Sequence, residues 1–149
     1  MRRMGEDTIL IDATNLIMGR VASYAAKKAL RGSTVVVVNA EMAIVSGKKL
    51  SIVSEGRTRL ETRTLASQYK APVHPRRPDT YLRRVIRGML PWKLSRGKAA
   101  FRRVKVFIGT PQEFSGKEFA RLDWADASRL RSRYMTLADL SREIGGVKV

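Results

Sequence analysis

The sequence predicts an α/β fold in which a mainly parallel sheet is covered by helices, and three observations carry that expectation. Thr8-Ile9-Leu10-Ile11-Asp12 reads as a short buried strand. Thr34 to Val38 is a run of β-branched residues whose continuous apolar character suits a strand buried on both faces. Between them Val21, Ala25 and Ala29 recur at four-residue spacing, which is the period of a helix. Strand, helix, strand at this separation is a βαβ unit, whose crossover is right-handed.

The remaining elements follow from local chemistry. Ala13-Thr14-Asn15 is turn and cap chemistry, and the first helix is expected from about Leu16 to Arg31, with Lys27, Lys28 and Arg31 facing water and Gly32 ending it. Ala43 to Gly47 reads as a short connection, and Lys48 to about Leu65 as a second helix weakened by Thr58, Thr62 and Thr64. Ser67 to Asp79 is a stiff extended loop in which Pro72, Pro75 and Pro78 enclose His74, Arg76 and Arg77. Asp79 is the expected N-cap of a helix over Thr80 to Arg87, with Tyr81, Leu82, Val85, Ile86 and Met89 on one side, Arg83, Arg84 and Arg87 on the other, and Gly88 and Pro91 closing it. A helix from about Arg96 to Arg103 then leads into a third strand over Val104 to Ile108, stopped by Gly109-Thr110-Pro111. Gln112 to Arg133 carries no clear period. Thr136 caps a last helix from Leu137 to Ile144, and Gly145-Gly146 ends it.

The chain of 149 residues has the length of a single domain, 1–149, and is long enough to bury a core without staples. It has no cysteine, which removes disulfides, thiolate metal sites and thiol nucleophiles and suits a reducing, cytoplasmic setting. Met1 to Gly5 holds two arginines but no signal-peptide core follows, and no segment approaches a membrane span.

Charge is the unusual quantity. Thirty Lys and Arg against thirteen Asp and Glu give a formal +17, a self-repulsion that a polyanion partner relieves. Arg outnumbers Lys twenty to ten, and the planar guanidinium fork matches phosphate and stacks on bases. From Arg57 to Lys105 there are fifteen Lys or Arg against only Glu61 and Asp79, so the basic segment 57–105 carries +13 of the total. A solvated helix face normally alternates its signs, whereas Arg83, Arg84 and Arg87 have only Asp79 nearby, a spacing that destabilises an isolated helix until phosphates lie between the charges. Lys48 and Lys49 are further candidate phosphate contacts. Trp92 has two readings that the sequence leaves open: stacking on a base, or packing beside Leu90 and Leu94.

No catalytic, cofactor or metal motif survives inspection. Ser46-Gly47-Lys48-Lys49 lacks a P-loop's upstream Gly, where Met42 stands, and its Ser or Thr after the lysine. Ala13 to Gly19 lacks the glycines of a dinucleotide turn. His74 is the single histidine and has no acid close in sequence to orient it, and Asp139 with Glu143 fits a solvated helix face. A nucleotide enzyme and a membrane-surface protein are therefore the weaker alternatives to a nucleic-acid binder, because the first needs one of those missing turns and the second needs apolar residues projecting beside the charges.

Arg87-Gly88-Met89-Leu90-Pro91, followed by Arg96-Gly97 and Val104-Lys105-Val106, resembles the signature of the universal family of large-subunit ribosomal protein thirteen. Ile11-Asp12-Ala13 with Met18 to Ser23, the run Val35 to Glu41, and Ser46-Gly47-Lys48 are similar to that family's opening elements in order and spacing, so the resemblance covers most of residues 8 to 111. His74-Pro75-Arg76-Arg77 and the Tyr134-x-Thr136-Leu137 ending look like the archaeal and eukaryotic branch. The resemblance implies a three-layer α/β/α domain with a small, mainly parallel, four-stranded sheet. It also implies a non-enzymatic role in the large subunit, binding its ribosomal RNA early in assembly beside neighbouring ribosomal proteins, without membrane, cofactor or small-molecule substrate. The matching positions for RNA contact are Arg76, Arg77, Arg83, Arg84, Arg87, Lys93, Arg96, Lys98, Arg102 and Arg103, which join Lys48, Lys49 and Trp92 from the charge and aromatic pattern.

Overall fold

The computed structural model describes residues 8–146; the Met1-to-Gly5 segment read above lies outside them. Strand β1 (Thr8–Asp12), helix α1 (Met18–Leu30) and strand β2 (Thr34–Val38) form the expected βαβ unit. The two strands pair in parallel with Leu10 opposite Val36 and Ile11 opposite Val37. Helix α1 buries Val21, Ala22, Ala25, Ala26 and Ala29, so small side chains let its axis lie close to its neighbours. Gly32, at φ +105°, ends it: the Gly32 N–H donates to the Ala29 carbonyl and the Ser33 N–H to the Lys28 carbonyl, the Schellman pattern that only a left-handed residue closes comfortably.

After β2 come strand β3 (Ile44–Ser46), helix α2 (Lys49–Glu61), helix α3 (Pro78–Gly88), helix α4 (Ser95–Arg102), strand β4 (Val104–Val106), strand β5 (Tyr134–Thr136) and helix α5 (Leu137–Glu143). The central β2 pairs in parallel with β4 on its other edge, giving a three-stranded sheet ordered β1-β2-β4. The expected four-stranded sheet is not formed. The Ala43-to-Gly47 connection instead contains β3, which pairs antiparallel with β5 in a separate two-stranded sheet, Val45 opposite Met135. Three residues with a partner some ninety positions later leave no local period to read.

The two faces of the parallel sheet are covered differently. Ile11, Val35, Val37 and Val104 join the core that contains α1, the Leu82 and Ile86 face of α3, and Ala100 of α4. Leu10, Val36 and Val38, on the opposite face, pack against Phe107, Phe114 and Phe119. The second outer layer is thus the irregular 107–119 segment with a single 3-10 turn at Gln112–Phe114, where a helical layer was expected. Topology supplies the reason. The chain crosses the sheet in one direction, β1 to β2 to β4, and crossovers of one hand taken in one direction land on one face. The free edge of β1 is closed by the same C-terminal half, through the Ala120 N–H donating to the Leu10 carbonyl at 2.7 Å.

Smaller corrections are local. Helix α2 stops at Glu61, not near Leu65, and Thr58 and Thr62 each donate their hydroxyl to a carbonyl four residues back, the competition that weakens threonine helices. Helix α3 begins at Pro78, with Arg77 as its N-cap residue and Asp79 in the first turn, because proline's fixed φ and missing N–H suit the first helical position. Met89 is 43% exposed and is not part of the apolar side. The strand expected to reach Ile108 ends at Val106, although the Phe107 N–H still donates to the Val37 carbonyl at 2.8 Å. Helix α5 is capped as expected: the Asp139 N–H donates to the Thr136 hydroxyl, which donates to the Asp139 carboxylate.

Candidate nucleic-acid interface

Helix α3 supplies the centre of the basic surface. Leu82 and Ile86 are fully buried and fix its rotation, and the arginines one position after each point outward. Arg83 and Arg84 are exposed and Arg87 is half-buried. None of the three makes an ion pair among the described residues. Aromatic rings hold two of them instead. The Arg87 guanidinium lies 4.0 Å from the centre of the Trp92 ring and that of Arg83 lies 4.6 Å from the Phe101 ring. Trp92 and Phe101 meet edge-to-face, their centroids 5.2 Å apart at 90°. Trp92 is half-buried in this cluster, an arrangement that neither sequence reading described.

Two shallow depressions border this stripe. A groove of about 410 Å³ is lined by Val73, Pro75, Thr80, Arg83, Arg84, Arg87 and Phe101, so all three arginines of α3 open onto it. A second, of about 310 Å³, brings Arg83 together with Arg102 and Lys105. Lys93, Arg96, Lys98 and Arg102 are exposed on and before α4, which continues the positive surface beyond Trp92. Gly97 sets how closely α4 approaches: a Cβ there would stand 2.1 Å from the Pro91 carbonyl oxygen.

Other candidates are placed differently. Arg103, the C-cap residue of α4, donates to the Ala29 carbonyl at 3.3 Å and so ties α4 to the end of α1. Arg77 reaches Asp79 at 3.2 Å, and Arg76 is exposed while its backbone carbonyl accepts from the buried Ser141 hydroxyl at 2.6 Å. That bond fastens the proline-rich loop to α5. Lys48 and Lys49 stand at the start of α2, where the Lys49 ammonium pairs with Glu143 at 2.9 Å. The hydrogen bond from Lys49, with its charge, holds the Glu143 carboxyl below its ordinary pKa. His74 bonds the Thr62 carbonyl through Nε2 at 3.1 Å and lines an apolar cleft of about 190 Å³ with Tyr81 and Arg84.

Sequence reasoning missed Phe101 and Tyr69. Phe101 sits in a helical register that reads as core, and nothing local to it signals the arginine it carries. Tyr69 is fully exposed beside Lys70 in a 3-10 turn, Gln68–Lys70, that opens the segment expected to be extended from Ser67, an aromatic within a basic stretch as Trp92 is. Among the described residues, no group of His, Cys, Asp and Glu could hold a metal ion and no helix is long and apolar enough to cross a membrane.

Residues 6–113 match the family profile described as ribosomal protein L13. The chain is 45% identical over 145 residues to the large ribosomal subunit protein uL13 of Sulfolobus acidocaldarius, covering 96% of this chain and 97% of that one. It is 45% identical over 143 residues to the protein of that name from Methanopyrus kandleri, covering 94% and 88%. To the corresponding protein of Archaeoglobus fulgidus it is 40% identical over 147 residues, covering 97% and 92%.

Proposed function

The chain belongs to the ribosomal protein L13 family, and from that premise we propose that it is a structural constituent of the large ribosomal subunit that binds large-subunit ribosomal RNA and supports early subunit assembly and translation. It acts as one unit over 1–149, in the cytoplasm, against that RNA and neighbouring large-subunit proteins, without catalysing a reaction. The observation that carries the RNA reading is the stripe of exposed Arg83 and Arg84 and half-buried Arg87, without carboxylate partners among the described residues, beside the exposed basic residues of α4. Like charges at this spacing raise the energy of the free helix, and phosphates placed between them reverse the sign. Arg76, Arg77, Lys93, Arg96, Lys98 and Arg102 extend the contact, with Lys48 and Lys49 as a separate corner near α5.

The test is where the native protein travels. In a lysate fractionated by sucrose gradient it should co-sediment with the large subunit and leave it only at high salt, since each phosphate contact releases counterions. Recovery in the free-protein fractions at low salt overturns the reading.

A further inference from the structure

We infer that Trp92 and Phe101 are positioning residues, an aromatic clasp that holds Arg83 and Arg87 in RNA-binding geometry before RNA arrives; the inference rests on the RNA-binding reading. Arg83 and Arg87 are one turn apart on α3, so two cations sit side by side where repulsion would spread them through solvent. Each instead lies over a ring, at 4.6 Å and 4.0 Å, and the two rings brace each other edge-to-face at 5.2 Å. The negative face of an aromatic ring attracts a guanidinium, and the edge-to-face contact braces the two rings against each other while each carries its own arginine.

What makes this a device for binding is the part of the arginine it uses. A ring contact of this kind draws on the charge of the guanidinium and leaves the N–H donors at the edge of its plane without a protein acceptor among the described residues. A carboxylate partner would occupy that edge, and neither arginine has one among the described residues. The clasp therefore fixes position and leaves the phosphate-binding donors unused. Both arginines line the groove that also contains Arg84, so all three charges border one surface depression. Ordering a long side chain beforehand removes that entropic cost from the binding step.

The experiment compares wild type with Trp92→Leu, Trp92→Phe and Phe101→Leu in two measurements. In the free protein, NMR relaxation of the arginine Nε–H groups should report Arg83 and Arg87 as ordered in wild type, Arg87 as mobile in Trp92→Leu, and order regained in Trp92→Phe. Titration with deproteinised large-subunit rRNA should show Trp92→Leu binding roughly three- to tenfold more weakly. The salt slope should stay unchanged, because the phosphate contacts still form. Trp92→Phe should recover most of the affinity. Mobile Arg83 and Arg87 in free wild type, wild-type affinity in Trp92→Leu, or a salt slope lowered by the leucine each overturn the clasp. Should Trp92→Leu fail to fold, Phe101→Leu makes the same comparison at Arg83. Wild type that leaves the rRNA unbound overturns the RNA reading instead, and the order of the arginines in the free protein still decides the clasp.

Discussion

Replacing Gly97 with alanine should damage both the packing of α4 and the surface it carries. An added Cβ would lie 2.1 Å from the Pro91 carbonyl oxygen and 2.5 Å from its carbonyl carbon, with the proline ring at 3.2 Å. Ordinary contact begins near 3.4 Å, so the backbone at Pro91 must retreat by more than an ångström. These are backbone atoms that cannot rotate away. The expected cost therefore sits at the upper end of over-packing penalties, about 3 kcal/mol, set against the ~1 kcal/mol of helix propensity that alanine gains over glycine. A net loss of about 2 kcal/mol should appear in urea unfolding as a lower midpoint at unchanged slope. Because Pro91 precedes Trp92, rRNA affinity should fall as well. Gly88→Ala is the matched control: its Cβ would meet nothing within 4 Å, and its φ is not positive. It should be neutral or stabilising by about 0.4–1 kcal/mol. The steric argument fails if Gly97→Ala is as stable as Gly88→Ala.

Other perturbations test the frame that presents this surface. Thr136→Ala removes the α5 cap, in which the hydroxyl accepts from the Asp139 N–H, and should cost about 1 kcal/mol in thermal or urea unfolding, with loss of α5 amide protection in hydrogen exchange. Burial raises the Asp12 carboxyl's pKa, but the hydrogen bonds from Thr14 and Asn39 outweigh it and leave the pKa below the ordinary 3.8. Over that interval the unfolded chain binds more protons than the folded one, so this stabilisation is present above about pH 4 and fades as pH falls through the folded value. The stability gap between wild type and Asp12→Asn, from urea midpoints at pH 7 and pH 3, should therefore narrow at the lower pH.

The parts of the fold that the sequence announces are those held by local patterns. The β-branched run of β2 and the alanine period of α1 place both elements within two residues of their observed ends, because helix period and strand composition are properties of contiguous residues. The β3–β5 pair is invisible for the opposite reason: Ile44-Val45-Ser46 acquires its strand character from Tyr134 to Thr136. The second layer over the sheet eludes the sequence because Phe107, Phe114 and Phe119 have no shared period and are gathered by the route of the chain. Within the site, the arginines of α3 were legible as charges without nearby acids. Their attachment to Trp92 and Phe101 was not, since it depends on where the α3–α4 connection and the end of α4 place those two rings beside α3. Arg103 carries a contact that counting charge does not reveal, one of its guanidinium donors reaching the Ala29 carbonyl at the end of α1.

The central claim is that the α3 stripe contacts RNA phosphate, and the dependence of rRNA affinity on salt measures it most directly. With Arg83→Ala and Arg87→Ala combined, the slope of log affinity against log salt should shrink by about 2, roughly one per lost phosphate contact, with weaker binding throughout. Wild-type affinity and slope in the double variant would contradict the account.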